Sequence, residues 1–177
     1  MKLRNSLNAF LLVFVVLFTA NAFSQDAPIA DSVITAKVKS KIAMDKSLSV
    51  FKVDVSTTDG VVTLSGNVNS DAEASAAIEL VQATDGVKDV DADKLKVKES
   101  KHPFSDMAIT SKIKGMFIKE KLFSDKDVAA MSISVETTDG VVTLSGDADS
   151  QKQADNAKAI AKSVKGVKQV ESRINVK

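Results

Sequence analysis

Few residue types in this chain could do chemistry. His102 is the single histidine, beside Pro103, and there is no cysteine, tryptophan or tyrosine. Disulfides, thiol nucleophiles and Fe–S clusters are therefore excluded, and one histidine cannot supply a tetrahedral Cys/His zinc site. A Ser-His-Asp triad would have to use His102, which lies in the polar run KESKHPFS and reads as a solvated residue. Asp59 and Asp139 are repeated acids, but each precedes a glycine, and a tight hairpin turn accounts for both. Gly60, Gly66, Gly140 and Gly146 lack the following helix start and lysine of a phosphate loop. Turn and strand roles are expected for them, with Gly66 at a close backbone approach or a strand end. No catalytic residue, metal ligand or cofactor contact follows from these patterns.

The lysines are more informative. The whole chain is balanced, with 24 basic and 23 acidic residues, but the two halves differ. Residues 31–98 hold nine lysines against eleven acids, whereas 106–177 hold eleven lysines and Arg173 against ten acids. The divergence is sharpest in 71–85, which has Asp71, Glu73, Glu79 and Asp85 and no base. Its counterpart 151–165 has Lys152, Lys158, Lys162 and Lys165 with only Asp155. Lys158, Lys162 and Lys165 fall at i, i+4, i+7, one stripe of a helix. A second basic group, Lys112, Lys114, Lys119 and Lys121, stands beside Met116, Phe117 and Phe123. Phe117 fits a core position; Met116 and Phe123 are the expected exposed apolar contacts. The lysines of both groups, with Met116 and Phe123, form the candidate binding surface. Nucleic acid is not an expected partner, because the chain is not basic overall and offers no stacking aromatic on a sheet.

Positioning these residues requires a fold, and the chain writes its fold twice. The decapeptide TTDGVVTLSG at 57–66 recurs unchanged at 137–146, an offset of 80. DSVIT at 31–35 answers to DMAIT at 106–110, an offset of 75, which places a five-residue insertion within 119–130 of the second copy. Domains are expected at 31–98 and 106–177, joined by a linker at 99–105 with Pro103 as breaker. Ahead of them, Lys2 and Arg4 precede the apolar run Ala9–Ala20 and the small residues Ala20 and Ala22. Twelve apolar residues are too few to span a bilayer, which takes about 20. The pattern reads as a signal peptide, residues 1–22, with cleavage after Ala22 or else Ser24. Without a cysteine no lipid anchor is expected.

Each copy parses as α-β-β-α-β. A first helix carries Ile34, Val38 and Ile42, or Ile109, Ile113 and Phe117, on one stripe, with Asp31 or Asp106 expected at its N-cap. An alternating strand follows (Val53 and Val55; Ile133 and Val135), then Asp-Gly and a return strand. Ser70–Glu73 and Ser150–Gln153 fit capping boxes for a second, alanine-rich helix. Gly86 and Gly166 are expected at C′ of that helix. A last strand closes the unit, with a bulge expected between Val90 and Val97, where the alternation gains a residue. The fold class is α+β: two small three-stranded sheets, each covered on one face by two helices. About 70 residues leave little interior for a deep pocket.

This pattern resembles the BON domain family (bacterial OsmY and nodulation). The residues that carry it are Val53-Asp-Val55, Gly60-Val-Val62-Thr-Leu64-Ser-Gly66 and Gly86-Val87-Lys-Asp-Val90, repeated in Gly140–Gly146 and Gly166–Val170. The resemblance implies a non-enzymatic periplasmic protein of the osmotic-stress response. Two roles are implied for it: weak contact with anionic phospholipid surfaces, or chaperone-like shielding of unfolded exported proteins. No cofactor and no small-molecule substrate are expected. Packing of the acidic helix of one copy on the basic helix of the other, or weak self-association, is a further expectation.

Overall fold

The structure, a computed structural model, describes residues 29–48, 52–100, 104–123 and 133–177. The expected signal segment, Phe51, Met131, His102 and Pro103 lie outside the described residues. The elements are α1 (Asp31–Met44), β1 (Lys52–Thr58), β2 (Val61–Ser70), α2 (Asp71–Gln82) and β3 (Asp89–Glu99) in the first unit. The second unit has α3 (Phe104–Phe123), β4 (Ile133–Thr138), β5 (Val141–Ala148), α4 (Gln151–Ser163) and β6 (Gln169–Val176).

Both sheets have the same order, with β2 or β5 in the centre. β1 pairs antiparallel with β2 through the Asp-Gly hairpin, and β3 pairs parallel with β2. A parallel pair cannot be joined by a tight turn, so the chain must cross over, and α2 is that crossover. Asp59 and Asp139 have φ of 53° and 51°, and Gly60 and Gly140 81° and 79°, the left-handed pair that a two-residue hairpin needs. The expected bulge is present: β3 takes one extra residue between Thr63↔Asp91 and Ser65↔Lys94, whereas β5–β6 run without a shift. Gly66 and Gly146 end no strand; both sit inside β2 and β5 with φ of 124°. Inward-facing Val62, Leu64, Ile34, Val38 and Ala77 are buried, and Val142, Leu144, Ile113, Phe117 and Ala157 repeat this core.

The expected N-caps are corrected. Asp31 is the first helical residue and Ala30 its N-cap, with no side-chain cap, while α3 begins two residues before Asp106. The carboxylates reach the hairpin instead. Asp31 accepts the amides of Asp59 and Gly60 at 2.8 and 2.9 Å; Asp106 accepts those of Asp139 and Gly140 at 2.7 and 2.9 Å. A turn with positive φ leaves its amides pointing outward, and a carboxylate at a helix N-terminus is itself favoured there. One group therefore satisfies two elements. Thr35–Thr57 and Thr110–Thr137 hydroxyl bonds, 2.7 and 2.8 Å, repeat beside each clamp. The α2 capping box is complete, but in α4 Gln153 turns to the amide of Asp149. Gly86 and Gly166 lie beyond the C-caps Ala83 and Val164, so they are not C′ residues. Gly86 has φ of 91°, and a Cβ there would meet Ile34 at 2.9 Å, so the turn can press on α1 only as glycine.

The units are not separate beads. α3 lies across the outer side of α2, not against its own unit alone. A Cβ on Gly115 would come within 2.6 Å of the Glu79 carbonyl oxygen and 2.7 Å of the Gln82 Cβ. Phe104, Met107 and Ala108 pack against the core of the first unit. The expected pairing of acidic and basic second helices does not occur: α2 meets the first helix of the second copy, because small residues on its outer side admit a closer partner than α4's lysines would.

Three substitutions test these contacts by stability. Asp106→Ala, which leaves one buried and one part-buried amide without an acceptor, is expected to cost about 2–3 kcal/mol by denaturant unfolding. Asp31→Ala, at a more exposed clamp, should cost clearly less; equal losses would contradict the clamp reading. Gly115→Leu overpacks the crossing and is expected to cost about 1–3 kcal/mol, with loss of the inter-unit shifts in amide NMR spectra. An unchanged melting temperature would mean that the units do not dock as described.

Candidate functional site on the second unit

The nine candidate residues do not form one surface. α3 presents Lys112 and Lys119 to the first unit. Lys112 pairs with Asp89 at 2.9 Å with only 13% of its side chain exposed. Lys119 donates to the Val87 carbonyl at 2.6 Å. Burial pushes the Lys119 amine below its ordinary range, opposed by the nearby charges of Asp85 and Glu120. Across the same contact, burial raises the Glu79 carboxyl, and the charge of Lys114 pulls it back. Met116 is half-buried against the second core, so the expectation of an exposed contact there is corrected: the helix turns it inward beside Phe117. Lys114 is exposed. The side chains of Lys121 and Phe123 lie outside the described residues. α3 spans 20 residues against 14 in α1: two of the extra residues precede Asp106 and four follow Lys119, in the range that holds the insertion.

Lys158, Lys162 and Lys165 stay on the outside. Ser150 and the run Ala154, Ala157, Ala161 place α4 on its sheet, leaving these positions on the flank away from the core. Lys158 forms an i,i+3 pair with Asp155 at 2.7 Å, and Lys162 and Lys165 are exposed. On the neighbouring strand the inward residues are poorly covered. Val170 and Ile174 are half-buried and Val176 is 43% exposed, whereas their counterparts Val90 and Leu95 are buried. The first unit gains that cover from the N-terminal end of α3.

Besides a cleft of about 410 Å³ among Lys41, Glu79, Leu80 and Ile118, two larger clefts lie between the units. One, about 430 Å³, is lined by Asp89, Asp91, Asp93, Phe104, Lys112 and Lys165. Asp89 is held by Lys112 and by the amide of Val90, and Asp91 accepts the amide of Asp93. The other, about 630 Å³, holds Asp106, Thr110 and Thr137, which are engaged in the hairpin clamp. Among the described residues no three His, Asp or Glu side chains group as metal ligands, and no helix is long and apolar enough to cross a membrane.

Sequence reasoning missed Gly115 and the outer side of α2. The signal was available: Ala72, Ser75, Ala76 and Ala83 continue small residues round the whole helix, and such a helix is covered on both sides.

The BON domain model matches residues 30–99 and 105–177. Osmotically-inducible protein Y of Escherichia coli (strain K12) is 43% identical over 152 residues, covering 83% of this chain and 73% of that protein. An uncharacterized protein of the gshII 5′ region of Anaplasma centrale is 32% identical over 149 residues, 84% of this chain and 96% of that one. A solved structure of CdsD, a structural protein of the type III secretion system of Chlamydia trachomatis, aligns over 84% of this chain and 68% of its own, with 15% identity and a TM-score of 0.30. Both repeated units match one domain model across nearly all the described residues, and the chain belongs to the BON domain family as a tandem of two such domains.

Proposed function

We propose that this chain is a non-enzymatic periplasmic envelope protein of the osmotic-stress response, which holds weakly to anionic phospholipid surfaces through α4 of its second domain. The osmotic assignment rests on its likeness to the osmotically inducible relative. The single observation that carries the surface is the split of the lysines. Lys112 and Lys119 are engaged by the first domain, while Lys162, on α4, and Lys165, just after it, stand exposed. The non-enzymatic reading is supported by two of the carboxylates that line the inter-domain clefts, Asp89 and Asp106, which are committed to a lysine and to backbone amides.

The energetics set the strength. Each basic residue near an anionic leaflet contributes about 1 kcal/mol. Lys158, Lys162 and Lys165 together then supply about 3 kcal/mol, alone weaker than a millimolar site, useful when many molecules share one surface.

Co-sedimentation with phosphatidylglycerol-containing vesicles tests this. Binding is expected to fall as salt rises through the range where the Debye length shrinks from about 30 to 3 Å. It should be absent on phosphatidylcholine alone and at least ten-fold weaker for Lys162→Glu with Lys165→Glu. Binding that ignores lipid charge and salt would overturn the reading. No vesicle binding, together with suppressed aggregation of a denatured client that the double variant leaves intact, would replace it with the chaperone alternative.

A further inference from the structure

α1 and α3 are one helix used twice. Their clamps, Asp31 and Asp106, and their threonines, Thr35 and Thr110, make the same bonds to the two hairpins. Ile34, Val38 and Ile42 occupy the core positions of Ile109, Ile113 and Phe117. The correspondence therefore extends to the outward side. On α3, Ala108, Lys112, Gly115 and Lys119 face the first domain. Seventy-five residues earlier stand Val33, Lys37, Ser40 and Met44. In the second domain this side is covered by α2; in the first the described residues leave it largely exposed, with Asp85 reaching Lys37 at 3.1 Å. Val33 is 45% and Met44 79% exposed, two of the three exposed large apolar residues among those described, and Ala36 and Ala43 are exposed between them.

We propose that the outward side of α1 docks a helix of a partner protein, whose docking side is built like the outer side of α2: small side chains bordered by carboxylates. This does not depend on the lipid reading, which concerns the other domain. The chemistry of the occupant follows from charge. Around the apolar positions α1 exposes Lys39 and Lys41, beside Lys37, which pairs with Asp85 at 3.1 Å, so an acidic helix is attracted and a basic one repelled. The helix that the equivalent side already holds is acidic, with Asp71, Glu73 and Glu79 and no base. A second copy of this chain does not meet the requirement. Its α2 is covered by α3, and its α4 puts Lys152 and Lys162 where α2 has Ala72 and Gln82. Ser40 stands in place of Gly115, so the occupant must yield at the crossing point and is expected to carry glycine or alanine there. Packed helices lie about 8–10 Å apart, and the lower end needs small residues at the contact.

The probe is a synthetic peptide of residues 69–87, the acidic helix of this chain with its own capping box, titrated into the ¹⁵N-labelled full chain. Shifts are expected at Val33, Lys37, Ser40 and Met44, half-saturating at about 0.1–1 mM, since an isolated helix this short is only marginally formed. Met44→Glu and Ser40→Arg, both at exposed sites, should weaken the titration at least ten-fold without moving the melting temperature. A peptide with its four acids replaced by lysine should give no shifts. Three results would overturn the proposal: no shifts at 1 mM peptide, shifts confined to α2 and α3, or equal binding of the lysine peptide. Anionic vesicles broadening the α1 resonances where the peptide leaves them unmoved would overturn it as well, and would mark a lipid contact instead.

Discussion

Covering α2 from both sides is the constraint on which the rest of this molecule depends. Its inner side, Ala74, Ala77, Ile78 and Val81, lies on the first sheet. Its outer side takes α3 at a separation that leaves no room for a Cβ on Gly115. A crossing that close needs a glycine on one helix and short side chains on the other, and α2 supplies them at 72, 75, 76 and 83. The lysines of α3 then find themselves at the edge of an interface. Lys112 meets a carboxylate and Lys119 a main-chain carbonyl, each with its aliphatic stem covered and its amine satisfied. A basic helix is thereby turned from an outward-looking feature into a brace between domains. Among the described residues, what remains for outside work is set by subtraction: α4, the exposed side of β6, and the outward side of α1.

Much of this was legible from residues alone, and the reasons are local. The Asp-Gly turn, the alternation around it and the Ser-x-x-Glu box each depend on a few neighbouring residues, so each appears in the structure where the spacing places it. The bulge in β3 was readable because the hydrophobic alternation gains one residue between Val90 and Val97. What escaped depends on partners distant in sequence. Asp31 and Asp106 look like helix caps because nothing in DSVIT or DMAIT shows the hairpin amides some 28 to 34 residues away that they accept. Met116 looked exposed because its counterpart is Lys41, yet the second core has room for it beside Phe117. The split of the lysine set was unreadable for the same reason: the charge of Lys112 and that of Lys162 are identical in sequence, and only the docking of α3 makes one a structural contact and leaves the other in water.

The two domains show how one backbone can carry opposite surfaces. At an offset of 80, Ala72 becomes Lys152, Ala76 becomes Asn156, Gln82 becomes Lys162 and Ala83 becomes Ser163. Every one of these changes lies on the side that α3 covers in the first domain, and none alters the inward alanines. The inward alanines have been held and the outer side rewritten for solvent; on the same helix Ile78 and Val81, buried in the first domain, give way to Lys158 and Ala161. Small side chains left without a covering helix would form an exposed apolar patch, and α4 carries Lys152, Asn156 and Lys162 at those positions instead. β6 was rewritten less completely: Val176 keeps its side chain in the open, and Val170 and Ile174 stay half covered.

Docking also decides how binding energy can be used. If the domains were joined only by a flexible linker, each surface would sample many orientations, and two weak contacts would reinforce each other through effective concentration alone. Here α2 and α3 hold them in one arrangement. The lysine row of α4 and the outward side of α1 therefore keep a fixed separation, and neither can swing to meet a partner. A rigid pair of weak surfaces gains nothing from a partner with the wrong spacing, and gains both contributions at once from one with the right spacing, because the orientational cost is met when the chain folds. Weak affinity at each face is then compatible with selectivity, and the selectivity resides in the crossing at Gly115.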